Sequence, residues 1–94
     1  MVAFHVPSGG YRRPIEAKIL KGLGAKAGIP DVIILHDGHL YGIELKTEKG
    51  RPSKAQLEMR DAINNAGGFA VIAYGLDQAL RVLETWGLVN GKIQ

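Results

Sequence analysis

Two short strings, Pro30-Asp31 and Glu44-Leu45-Lys46, supply two carboxyls of the kind that hold a divalent cation and an ammonium of the kind that stands beside a phosphodiester. Hydrolysis of that bond needs a water made nucleophilic, a place for negative charge in the transition state and a route out for the alkoxide. A hard, oxygen-seeking cation such as Mg²⁺ supports these steps, held by one or two carboxylates while keeping several waters. Asp31 and Glu44 are the expected ligands, with the main-chain carbonyl of Leu45 as a third oxygen. Lys46 is the expected partner of the attacking water or of the transition-state charge.

These residues converge only if a hairpin positions them. Val32-Ile33-Ile34-Leu35 is a continuous apolar run, the pattern of a strand buried on both faces, and Asp37-Gly38 is a two-residue turn signal. From Leu40 the pattern alternates, so that Tyr41, Ile43 and Leu45 face the core while Gly42, Glu44 and Lys46 face the other way. Pairing about that turn sets Asp31 opposite Glu44, with Cβ atoms about 4.5 to 5.5 Å apart. Opposed like charges cost stability, and a cation converts the cost into a site. Lys46 shares the face of Glu44, roughly 6.5 Å further along. The competing interpretation is a solvent-facing Glu44–Lys46 pair on an edge strand, with Asp31 capping a turn after Pro30. Turn register and apolar alternation, read independently, both favour convergence.

The remaining chain reads as alternating elements. Val2 to Val6 is β-prone and ends at Pro7-Ser8-Gly9-Gly10; Pro14 opens a helix carrying Ile15, Ile19, Leu20 and Leu23. After the hairpin, Ser53 and Gln56 have capping-box spacing, and Ala55, Met59, Ala62, Ile63 and Ala66 stripe a helix that Gly67-Gly68 stops. Phe69 to Ala73 reads as a buried strand, and Asp77 as the cap of a last helix with Ala79, Leu80, Leu83 and Trp86. The order predicts a small mixed α/β sheet flanked by helices.

A chain of 94 residues is expected to form one domain, burying only about 60% of its unfolded surface, so a second subunit would help its core. There is no cysteine, signal-peptide pattern or apolar run of transmembrane length, which leads to the expectation of an intracellular, non-membrane protein. Residues 1–60 carry ten basic against six acidic side chains, and residues 61–94 two against three. The basic excess thus surrounds the acidic pair, which suits a polyanionic partner; a solvated basic face accounts equally for the charge.

Pro30-Asp31 followed after twelve residues by Glu44-Leu45-Lys46 resembles the PD-(D/E)XK nuclease superfamily. The wider string of Gly28-Ile29-Pro30-Asp31, Glu44-Leu45-Lys46-Thr47, Gly50, Ser53, Gln56 and Gly67-Gly68 is similar to its VRR-NUC branch, the virus-type replication-repair nucleases. His5 to Arg12 resembles the segment preceding this core in bacterial and phage members, so the likeness covers nearly the whole chain. It implies a restriction-endonuclease-like fold and Mg²⁺- or Mn²⁺-dependent endonucleolytic cleavage of DNA, on four-way junctions or other branched DNA, by a homodimer. It also implies an active-site role for Gln56, which the capping-box spacing would instead assign to helix initiation. Lys49, Arg51 and Lys54 are expected phosphate contacts, and Arg12 and Arg13 a second DNA-backbone edge.

One departure stands out: members usually carry a further acidic residue on a helix before the first strand, and this sequence starts at that strand, so either the helix was lost or the recorded start is internal. Glu16 reads as a surface residue. A DNA-binding module of the same fold, weak or inactive in cleavage, is therefore the alternative. His36 and His39 flank the turn without the partners of a zinc site, and His5 reads as structural. Trp86, Leu88 and Val89 form a contact patch, a dimer interface or the end of the core.

Overall fold

The computed structural model describes residues 1–6 and 28–89; the expected helix after Pro14 and the residues Arg12, Arg13 and Glu16 lie outside them. Four strands and two helices follow in the order β1 (Val2–His5), β2 (Val32–His36), β3 (His39–Lys46), α1 (Lys54–Asn65), β4 (Phe69–Tyr74) and α2 (Leu76–Thr85). The sheet runs β1-β2-β3-β4, with the first three strands antiparallel and β4 parallel to β3. A parallel neighbour requires a crossover, and α1 provides it. The fold is a small mixed α/β sheet flanked by helices, of the restriction-endonuclease-like kind.

Asp37 and Gly38 both take positive φ, 49° and 78°, the geometry of a tight hairpin turn. His36 therefore pairs with His39 and Val32 with Ile43. On one face, Val32, Ile43 and Val71 lie in register and pack with Ala73 against Ala79, Val82 and Leu83 of α2 and Trp86 at its C-terminal cap. Trp86 thus completes the core, and its ring also meets Tyr41 at 5.0 Å between centroids. The other face carries Ile33, Gly42 and Ala70 in one row, then Glu44 beside Ile72. Helix α1 packs over this face, chiefly on β4.

Several expectations shift. Only Ile33 and Ile34 of the apolar run are buried; Leu35 is 46% exposed, being remote from β4 where α1 packs. Leu45 shares the core face of Ile43 but is 44% exposed, because β2 ends opposite Ile43 and supplies no strand neighbour beyond it. Phe69, at the start of β4, is 41% exposed and stacks on Tyr41. The N-cap of α2 is Gly75 rather than Asp77: the chain leaves β4 through φ 91°, and Asp77 lies within the first turn.

Side chains occupy the outer border of β4. Asn64 both accepts from Ala70 N–H (2.8 Å) and donates to its carbonyl (3.0 Å), while Gln78 Oε1 accepts from Tyr74 N–H (2.7 Å). Neither described helix is long and apolar enough to cross a membrane.

Gly28 holds the start of α1 against the sheet. Its φ is +84°, and a Cβ there would overlap the carbonyl of Ala55. Gly28→Ala is expected to cost about 3 kcal/mol or more, from the left-handed backbone and the overlap together. Urea unfolding of the two proteins measures the difference; equal midpoints would contradict the packing described.

Candidate metal centre

Pro30 and Gly42 prepare the position of Asp31. Gly42 lacks the side chain that would stand 2.9 Å from Pro30 Cγ, so the proline ring settles over β3 and the chain enters β2 in a fixed direction. The Asp31 carbonyl accepts from Val6 N–H (2.7 Å), and its Oδ2 accepts from Leu45 N–H (2.9 Å). One residue is thus tied by its main chain to the residue just after β1 and by its side chain to β3. Continuing the observed ladder by one position sets it opposite Glu44.

The direction of the Leu45 carbonyl follows from strand alternation. Gly75 N–H donates to the Lys46 carbonyl (2.8 Å), so the polar groups of Lys46 and Glu44 turn towards β4. Those of Leu45 turn the opposite way, to the Asp31 side, as its N–H shows. The Leu45 carbonyl therefore lies along the same border as the Asp31 carboxyl.

Glu44 is the sole charged residue among the buried ones described, at 5% exposure. Gln56 Nε2 donates to its Oε1 (3.1 Å), and Oε2 has no hydrogen-bond partner. Burial, then the neighbouring Asp31 carboxyl, push the carboxyl up from 4.5 to about 7; the Lys46 charge acts in the opposite sense. Lys46, half-buried two residues along the same face, is near enough to be felt electrostatically.

Gln56 makes two contacts, one with the helix cap and one with Glu44. Its Oε1 accepts from Ser53 N–H (2.8 Å) and Ser53 Oγ accepts from Gln56 N–H (3.1 Å), completing the capping box. The other end of the same amide reaches Glu44. The roles of Gly28 and Gly42 were missed in the sequence, although a glycine within an alternating strand is itself a sign of close approach.

Between Lys46 and Ser53 runs the basic loop, so both of its ends adjoin the acidic pair. Lys49 and Arg51 are exposed; Lys54 opens α1 and pairs loosely with Glu58 (3.8 Å). The histidines lie apart. His5 pairs with Val32 and so occupies the α2 side of the sheet, opposite Glu44. His36 and His39 face each other at the hairpin tip, with Asp37 Oδ2 3.4 Å from His36 Nε2.

The donors present suit a hard divalent cation. They are all oxygen, two are carboxyls brought together against their own repulsion, and Glu44 Oε2 is a buried oxygen that lacks a partner when ionised. No third His, Cys, Asp or Glu joins them among the described residues.

No family model and no curated protein matches the chain. A solved structure described as a VRR_NUC domain protein is similar to it, with 30% sequence identity and a TM-score of 0.67 over 89% of this chain and 66% of that one. The chain thus spans just under two thirds of that protein's length.

Proposed function

From the chain's membership of the VRR-NUC family, we propose that it is a Mg²⁺- or Mn²⁺-dependent endonuclease acting on DNA inside the cell. The observation that carries this reading is the buried Glu44 carboxyl, set beside Asp31 with one oxygen unpartnered. Asp31, Glu44 and the Leu45 carbonyl would hold the cation. Bound there, it would supply positive charge to the phosphoryl oxygens and acidify water.

The chain's own residues do the rest. Lys46, on the face of Glu44, orients the attacking water or neutralises charge gained in the transition state. Gln56 positions Glu44. Lys49, Arg51 and Lys54 hold the phosphate backbone as it passes the site, with Arg12 and Arg13 as a second edge. Branched DNA, including four-way junctions, is the proposed substrate, and a two-fold homodimer would present one centre to each strand.

Incubation with linear, flapped and four-way DNA in Mg²⁺, Mn²⁺ or EDTA tests the reading. Metal-dependent nicking of a branched substrate is expected. If DNA binds but no substrate is cut, the domain is a DNA-binding module instead.

The basic loop makes a separate prediction. Lys49→Ala with Arg51→Ala is expected to weaken DNA binding for all sequences and to reduce the slope of log Kd against log salt by about one for each phosphate no longer neutralised. Titrations at several salt concentrations measure it; an unchanged slope would remove the loop from the interface.

A further inference from the structure

The amide of Gln56 can adopt only one orientation. Its Oε1 receives Ser53 N–H and its Nε2 faces Glu44 Oε1. Flipped, it would set an NH₂ against a backbone N–H and a carbonyl oxygen against a carboxylate, two repulsions in place of two hydrogen bonds. The helix cap therefore fixes which end of the amide meets the acidic pair. That donor in turn takes one lone pair of a specified oxygen of Glu44, Oε1, and leaves the other oxygen, Oε2, buried without a partner.

We propose that the main-chain N–H of Ser53, acting through Gln56, makes Glu44 a one-oxygen ligand and so determines which cation the site prefers. This rests on the reading of Asp31 and Glu44 as a cation site. Ca²⁺ takes six to eight oxygens at longer range and readily accepts both oxygens of one carboxylate, whereas Mg²⁺ requires a tight octahedron with few carboxylate oxygens. Holding Oε1 back favours the smaller ion. Gln56 is accordingly a positioning residue, and the selection begins at the first turn of α1.

The two halves of the capping box can be separated. Gln56→Met keeps the length of the side chain but removes both its donor and its acceptor, freeing Glu44 Oε1. Ser53→Ala removes the hydroxyl half of the same cap while retaining the main-chain N–H, so Gln56 stays locked. The measurement is equilibrium displacement of bound Mn²⁺, followed by its free-ion paramagnetic resonance signal, with Mg²⁺ and with Ca²⁺ on protein whose fold is checked by circular dichroism.

The wild type is expected to prefer Mg²⁺, Gln56→Met to shift the Ca²⁺-to-Mg²⁺ affinity ratio towards Ca²⁺ by about tenfold, and Ser53→Ala to keep the wild-type ratio. A wild-type ratio in folded Gln56→Met, with Mn²⁺ still bound, overturns the inference alone. Failure of the wild type to bind Mn²⁺ overturns both it and the cation site on which it rests.

Discussion

Asp31→Asn is expected to lower divalent-dependent DNA cleavage by about 10³-fold or more while leaving DNA affinity in EDTA within a few-fold. The substitution suits the structure because asparagine retains an oxygen to accept the Leu45 N–H, now held at 2.9 Å by Oδ2. The Asp31 carbonyl, which receives Val6 N–H, is untouched. The tie between β2 and β3 thus survives and the charge does not. A cation would be left with Glu44 as its single carboxylate, while the basic loop proposed to attract DNA is unaltered. Single-turnover cleavage of labelled branched DNA, with binding measured in parallel, separates the two effects. A variant that cuts at the wild-type rate would remove Asp31 from the chemistry.

Glu44→Gln should make the metal-free protein more stable in alkaline buffer, even as it disables the site. The Glu44 carboxyl titrates near 4.5 when unfolded and at about 7 when folded, chiefly because it is buried and secondarily because Asp31 lies beside it. Between these values the folded protein retains a proton that the unfolded chain releases, so stability falls as pH rises. This contribution is fully present below about pH 4.5 and is lost as pH climbs through about 7. The difference corresponds to roughly 3 kcal/mol. Glutamine carries no charge at any of these pH values and still offers an oxygen to Gln56 Nε2.

Melting in EDTA should therefore show the variant and the wild type converging near pH 4 and separating by about 10 °C or more at pH 8. Added Mn²⁺ should raise the wild type and leave the variant in place. A wild type whose stability does not decline between pH 5 and 8 would show that the Glu44 carboxyl is better solvated than its burial indicates.

Much of the site was readable because a single turn controls it. Asp37-Gly38 admits one register, and that register carries Asp31 to Glu44 without knowledge of any other element. Burial was harder to read. Alternation assigned Leu45 to the core and left Glu44 to the opposite face, yet Leu45 is 44% exposed and Glu44 5%. The side-chain direction was right, but cover depends on where β2 stops and where α1 lies, which no local pattern encodes. Gln56 looked like a choice between cap and active site because spacing treats a side chain as one point. An amide has two ends, and here they face different partners. Asp77 misled for the converse reason: a good capping residue was present, but the strand-to-helix turn was already made at Gly75.

The side chains laid along β4 give the sheet a direction of growth. By alternation, Ala70, Ile72 and Tyr74 turn their main-chain polar groups outward, and Asn64 and Gln78 already engage the first and the last of these. Among the described residues, only Ile72 is left with neither main-chain group met by these side chains, too little to template a ladder. Fibril-like stacking through that border is thereby discouraged, which leaves Val2–His5 as the other edge strand among the described residues. Removing Asn64 and Gln78 would open the β4 border to an incoming strand.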